Sequence, residues 1–263
     1  MKNLKITILP LDIAWADKAE NLFSTERMLT RIDKDTDIVV LPELFSTGFI
    51  SSPEQLHRIA DDANDSPTIL RIKQWAKQFN FAICGSLLIR EGDRFLNRGF
   101  FIEPSGEETF YDKKHLFSMS AEAKEFTAGT ETIPVVRYRG WNIALAICYE
   151  LRFPVWLRNK NNRYDVLIIP ANWPASRAYA WKHLLIARAI ENQAYVIGAN
   201  RSGRDDCGEY DGLSYIIGHN GHILAEASDS ENIFVTAILS QDTLVRSRTS
   251  FPVVNDADKF KLI

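Results

Sequence analysis

Residues 142–154, NIALAICYELRFP, set an apolar run of Ile, Ala and Leu directly against a thiol, which Tyr, Glu and Arg then follow. A run without polar alternation reads as a strand covered on both faces, the kind found at the centre of α/β sheets. Cys148 stands at its carboxyl end, where the chain leaves the sheet and charge begins. Ligands of open α/β sheets bind outside the carboxyl ends of the strands, so the place of this thiol links fold to site. Two further apolar strands end in the same way: Glu43 follows DIVVLP and Asn172 follows VLIIPA. Three reactive strand ends can therefore share one mouth.

Outward from this stretch the chain alternates strands with helices. LKITILPLDI (4–13) alternates as a strand, and WADKAENLFSTERMLTRID (15–33) carries Ala19, Leu22, Phe23, Met28, Leu29 and Ile32 at helical spacing. TDIVVLPE (36–43) is a short buried strand stopped by Pro42. SPTILRIKQWAKQFN (66–80) opens with Ser66 as cap and Pro67 at the first helical position, and sets Ile69, Ile72, Trp75, Ala76 and Phe79 on one face. Between residues 81 and 114 the texture changes to strands joined by the turns EGD and PSGE, an antiparallel middle.

After Cys148, RFPVWLRNKNN (152–162) reads as a short helix, YDVLIIPAN (164–172) as a buried strand, SRAYAWKHLLIARAIENQ (176–193) as a long helix and AYVIGAN (194–200) as a strand. LSYIIGHNGHILAEA (213–227) forms a hairpin about His219, Asn220 and Gly221, and NIFVTAILS (232–240) is a last strand before an irregular, charged tail. No repeat and no Gly/Ser/Pro-rich linker divides the chain, so residues 1–263 read as one α/β domain. Strands of both kinds alternating with helices predict two sheets with helices outside.

Composition narrows the function classes. A net charge of −3 without a long basic run argues against a nucleic-acid partner. The apolar stretch at the N-terminus is broken by Asp12 and Asp17, too soon for a spanning helix, which speaks against a membrane. Three cysteines, none in a CxxC pair, make no disulfide framework and fit free thiols in a reducing cytoplasm. HExxH, a Gly-rich phosphate loop and clustered His/Cys ligands are all missing from the sequence, so no metal and no organic cofactor is expected.

A thiol that breaks an amide needs a base within reach, a cation that favours the thiolate, and fixed donors for the oxyanion. Glu43, Lys113 in YDKKHLF, and Cys148 supply these types. Their order and settings, LPELFSTGF, YDKKHLF and ICYELRFP, together with the segment NWPASRAYAWKHLLIARAIENQAYVIGANRSG, resemble the carbon-nitrogen hydrolase (nitrilase) superfamily, and within it the bacterial omega-amidases. The resemblance covers nearly the whole chain. It implies a four-layer αββα sandwich that pairs with a second copy, the tail from about residue 241 to 263 lying at the dimer interface.

For the site, the resemblance implies Glu43 as base, Lys113 rather than Lys114 as cation, Cys148 as nucleophile and the backbone N–H of Tyr149 as oxyanion donor. Glu122 matches a second family glutamate that holds the lysine, with Glu125 as competitor. Arg177 is the candidate for a substrate carboxylate, with Arg152 as rival. Asn172 stands at the mouth, and Phe45, Phe117 and Trp173 are expected to form an apolar wall. Some members carry a tyrosine shortly after the glutamate; this chain has Phe49 there, which withdraws that polar contact. His115 is expected to make a structural hydrogen bond beside the lysine, and Cys84 to be core.

The activity so implied is hydrolysis of the terminal amide of small 2-oxo dicarboxylic acid monoamides, such as 2-oxoglutaramate and 2-oxosuccinamate, through a cysteine thioester. An N-carbamoyl amino acid amidohydrolase, a deaminated glutathione amidase or a nitrilase would keep the same trio. A silent small-molecule binding protein on this scaffold is the reading without catalysis.

Overall fold

The computed structural model describes residues 3–50, 52–227 and 234–261. The first half contributes β1 (Asn3–Ile8), α1 (Lys18–Leu29), β2 (Ile38–Val40), α2 (Pro53–Ile59), β3 (Asp61–Asp62), α3 (Pro67–Phe79), β4 (Ala82–Glu91), β5 (Arg94–Ile102), β6 (Glu108–Asp112) and α4 (Glu122–Glu125). The second contributes β7 (Val135–Tyr138), β8 (Trp141–Leu145), β9 (Val166–Ala171), α5 (Ala178–Asn192), β10 (Tyr195–Asn200), β11 (Ser202–Asp205), β12 (Gly208–Asp211), β13 (Tyr215–Ile217), β14 (Ile223–Glu226), β15 (Val235–Ser240) and α6 (Gln241–Ser250).

These strands make two large sheets. One runs β15-β1-β2-β4-β5-β6, with β3 paired to β4, and the other runs β14-β13-β10-β9-β8-β7. β1, β2 and β4 are mutually parallel, as are β8, β9 and β10, while β4, β5 and β6 form the antiparallel middle.

Side-chain alternation explains the layering. Along a strand, residues i and i+2 share a face. Leu4, Ile6 and Ile8 of β1 thus join Ile38 and Val40 of β2 in one cluster with Ile143, Leu145, Val166, Ile168 and Ile197 of the other sheet. That cluster is the seam between sheets. The opposite face of the first sheet, through Val39 and Ile83, meets Leu29 of α1 and Ile72 and Trp75 of α3. Leu167, Ile169 and Val196 of the second meet Trp181, Leu185 and Ala189 of α5. The result is αββα. Helix α5 lies so close that a Cβ at Gly198 would stand 2.5 Å from Leu185 Cδ1, so only glycine admits this packing.

Several local expectations need correction. Residues 152–162 do not form a helix: a 3₁₀ turn at Cys148–Arg152 ends at Phe153 in non-helical conformation, with another short turn at Lys160–Asn162. Pro154 is the cause, since a proline disfavours helical backbone in the residue before it. The tail after β15 is not irregular throughout. Ser240 accepts a hydrogen bond from the Thr243 N–H and caps α6, although of this helix only Leu244 is buried. On α1 the inward stripe is Asn21, Thr25 and Leu29, while Phe23 is exposed. Asn21 faces inward because its amide pairs with both backbone groups of Ala14 and with the Ser46 carbonyl. Helix α2 and the β11–β12 hairpin are additions to the expected layout. Ser66 caps α3 as its sequence suggests, accepting from the Ile69 N–H. Among the described residues no helix is long and apolar enough to cross a membrane.

Candidate active site

β2, β8 and β9 are all parallel strands, and Glu43, Cys148 and Asn172 leave from their carboxyl ends. Past Glu43 the chain turns sharply at Leu44, a non-glycine residue at φ 47°, whose N–H donates to Ser86 Oγ at 2.9 Å. Cys148 is held in the same left-handed region, at φ 44°, as the first residue of its 3₁₀ turn. Such a conformation costs on the order of 1–3 kcal/mol and persists only where its surroundings impose it.

Glu150 imposes it. Its fully buried carboxylate accepts the Ile147 N–H at 2.8 Å, the Tyr111 hydroxyl at 2.5 Å and the Lys114 N–H at 3.1 Å. One acid therefore ties the thiol's turn to the segment that carries Lys113. That segment is pinned again at Lys113, whose N–H donates to the Asn97 carbonyl and whose carbonyl accepts the Gly129 N–H, both at 2.9 Å.

Four side chains meet between the sheets: Glu43, Lys113, Glu122 and Cys148. Lys113 Nζ donates to Glu43 Oε1 at 2.9 Å and to Glu122 Oε1 and Oε2 at 2.7 and 3.0 Å, so its three protons all have carboxylate acceptors. Glu43 Oε1 also accepts from Asn97 Nδ2 at 2.8 Å, and its Oε2 from the Asn172 N–H at 2.9 Å. Glu122 Oε2 accepts the Phe117 N–H at 2.7 Å. Burial is nearly complete, with Glu43 at 3%, Lys113 at 2% and Glu122 at 1% exposure. Buried charges of this kind persist only when paired and fully hydrogen-bonded, and here they are.

Charge states follow from that geometry. Burial works to raise the Glu43 carboxyl, but the Lys113 ammonium overcomes it and holds the group below the ordinary 4.5. Burial likewise opposes the Lys113 charge, and the Glu122 and Glu43 carboxylates more than restore it. At Cys148 burial comes first and the Glu43 charge adds to it, lifting the thiol well above its ordinary 9.0 against the pull of Lys113. The resting site thus holds a neutral thiol beside an ionised carboxylate, with an ammonium fixed behind both.

The cluster borders a cavity of about 700 Å³, whose walls include Phe49, Phe117, Tyr149, Trp173, Asn172, Arg152 and Arg177. Neither arginine has a carboxylate within salt-bridge distance among the described residues. Arg152 lies over the Trp173 ring at 4.8 Å and Arg177 over the Phe117 ring at 5.4 Å. Two unneutralised guanidinium groups in a half-enclosed cavity make a receptor for an anion. As the second residue of the 3₁₀ turn, Tyr149 presents one of the backbone N–H groups that helix geometry leaves without an internal acceptor.

Of the residues singled out in the sequence, the structure brings Glu43, Lys113, Cys148 and Glu122 into contact. It is Glu122, not Glu125, that grips the lysine. Lys114 offers Glu150 its backbone N–H. Phe117, Tyr149, Asn172, Trp173 and Arg177 reach the cavity. The Asn172 side-chain amide is buried without a partner among the described residues.

Phe45 does not line the cavity: it is fully buried in the helix-side core, edge-on to Phe100 at 6.1 Å, because the Leu44 turn carries it beneath the sheet. His115 bonds beside the lysine through its backbone, the N–H donating to Glu150 Oε1 at 3.4 Å, while its ring Nδ1 has no hydrogen-bond partner among the described residues. Its ring instead stacks on Phe153 at 4.3 Å. Cys84 is fully buried, and Cys207 sits exposed in the turn between β11 and β12.

Three site residues escaped the sequence reading: Asn97, Glu150 and Tyr210. Asn97 carried a signal, for it stands in phase with Gly99 and Phe101 on a strand, an amide set on a buried face. Glu150, adjacent to Tyr149 in CYELR, looks like any polar residue beyond a strand end. Tyr210 lies in a polar hairpin whose position over the cavity is set by tertiary structure alone.

Comparisons with known proteins give the family. The family model described as carbon-nitrogen hydrolase matches residues 5–246. A protein of Yersinia enterocolitica named omega-amidase YafV is 40% identical over 264 aligned residues, 100% of both chains. A 2-oxoglutaramate amidase of Bacillus subtilis (strain 168) is 34% identical over 97% of each. The crystal structure of XC1258 from Xanthomonas campestris, a CN-hydrolase superfamily protein with an arsenic adduct in its active site, is similar at a TM-score of 0.93 with 36% identity, and both chains are fully covered.

Proposed function

Since the chain belongs to the carbon-nitrogen hydrolase family, we propose that it is an omega-amidase, releasing ammonia from the terminal amide of short 2-oxo dicarboxylic acid monoamides such as 2-oxoglutaramate and 2-oxosuccinamate. The observation that carries this reading is the neutral Cys148 thiol beside the lysine-paired Glu43 carboxylate, at the edge of a cavity that also holds two arginines without carboxylate partners.

Glu43 takes the thiol proton as the Cys148 sulfur attacks the amide carbon. Lys113 Nζ and the Tyr149 N–H stabilise the oxyanion, each such donor being worth about 3–4 kcal/mol in comparable sites. Lys113 spends two of its three protons on Glu122, so one can turn to the oxyanion while the ammonium stays anchored. The intermediate collapses by breaking the C–N bond, Glu43 protonates the nitrogen, and ammonia leaves a thioester on Cys148. Glu43 then deprotonates a water that attacks the thioester, freeing the acid and returning the proton to sulfur. Asn97 Nδ2 and the Asn172 N–H keep the carboxylate aimed through both halves. Arg177, with Arg152 beside it, holds the distant carboxylate of the substrate.

The same field disfavours an α-ammonium, which gives the test. kcat/KM for 2-oxoglutaramate is expected to exceed that for glutamine by about 10²-fold or more, as unpaired charges near two cations require. Equal rates on the two amides contradict the reading. Three free thiols fit a reducing cytoplasm, and exposed Ile238, Val245 and Phe251 at and beyond β15 favour pairing with a second copy, which sedimentation reads as a doubled mass.

A further inference from the structure

The β11–β12 hairpin covers one side of the cavity, and its Tyr210, 6% exposed, lines that cavity. Its ring is fixed from behind: the Arg201 guanidinium carbon lies 4.4 Å from the ring centroid. Arg201 is itself fully buried, donating to the Ile13 carbonyl at 2.9 Å and the Ser202 carbonyl at 3.0 Å and pairing with Asp205. The orientation of the ring is therefore set before any substrate arrives. The Tyr210 hydroxyl, by contrast, has no hydrogen-bond partner among the described residues. Burial, with the Asp205, Cys207 and Glu43 charges, raises its pKa far above the phenol range, so it stays an O–H donor. Tyr210 and Glu43 line the same cavity.

The polar groups of a 2-oxo dicarboxylic monoamide can be matched to the cavity one by one. Lys113 and the Tyr149 N–H serve the scissile carbonyl, Glu43 the leaving nitrogen, and the arginines the carboxylate. The ketone oxygen remains, a neutral acceptor that a neutral donor suits best. We infer that the Tyr210 hydroxyl donates to the 2-oxo oxygen, and that Tyr210 is the residue separating 2-oxo amides from amides of equal length without that oxygen. This rests on the omega-amidase reading above. A site built to hydrogen-bond one substrate atom discriminates strongly against the analogue lacking it, because its own polar group is then left unpaired.

The test compares kcat/KM for 2-oxosuccinamate and succinamate in the full-length wild type and in Tyr210→Phe, which keeps the ring on Arg201. The wild type is expected to prefer 2-oxosuccinamate, and the variant to lose about 10- to 100-fold of that preference, the loss falling on the oxo substrate. Equal losses on both substrates, or none on either, overturn the role of Tyr210 and leave the amidase reading standing. A wild type that shows no preference for 2-oxosuccinamate overturns the reading itself, and does so without the variant.

Discussion

Replacement of Cys148 by Ala is expected to lower ammonia release from 2-oxoglutaramate by about 10⁴-fold or more, with the fold retained. The size follows from what remains. Lys113 and the Tyr149 N–H still polarise the amide carbonyl, but water must attack in place of sulfur, and no covalent intermediate divides the reaction into two easier steps. Stability is little affected, because alanine occupies the same left-handed backbone position and Glu150 still bonds the Ile147 N–H next to it. Circular dichroism and a thermal midpoint near that of the wild type check the fold, and a coupled ammonia assay checks the loss. Retention of more than a few per cent of turnover would remove Cys148 from the chemistry.

Glu43→Gln is the second large effect, an expected loss of about 10²- to 10⁴-fold in kcat/KM. The substitution preserves length and leaves Lys113 paired with Glu122. In the proposed mechanism it removes the group that carries the proton from sulfur to nitrogen. One amide edge also points at the Asn172 N–H, now donor against donor, or else at Lys113 and Asn97, with the same conflict.

The pH profile carries a separate signature. The proposed mechanism needs Glu43 ionised, and its carboxyl sits below 4.5, so the acid limb is expected below that value. It also needs Cys148 and Lys113 protonated at rest, and the thiol lies above 9.0, so the alkaline limb lies above that value. A level profile between the two is expected from kcat/KM over that range, and the variant should lose the acid limb. A rise through neutrality, as a preformed thiolate would give, contradicts this assignment. Stability has the same sign at the acid end. A carboxyl whose folded pKa is depressed stabilises the fold above its unfolded value, and that contribution disappears as pH falls through the folded one.

The βα rhythm and the buried strands were legible because apolar runs ending in Pro, Glu, Cys or Asn carry their own punctuation. The layering could be anticipated from strands apolar on both faces, such as β2 and β9, which demand cover on each side. Helix α6 could not, since it is held by a cap, one buried leucine and the hydrogen bonds of Arg248 to Asp165, Tyr164 and Gln193 rather than by a hydrophobic stripe. The four clustered side chains were legible as an ordered set of motifs. What pins them was not: Asn97 and Glu150 act through hydrogen bonds that reach across 54 and 39 residues of chain, and no local pattern encodes such partners. Phe45 shows the converse. An aromatic two residues after Glu43 looks like a pocket wall, yet one left-handed residue at Leu44 sends it into the core.

The role of Cys148 is tested most directly by quenching the wild type with acid during turnover of 2-oxoglutaramate and measuring the intact protein mass. The expected result is a fraction carrying the acyl group, substrate less ammonia, that maps to the peptide containing Cys148 and disappears when hydroxylamine is added. Full turnover with every molecule at its unmodified mass, and no hydroxamate formed from hydroxylamine, would contradict it.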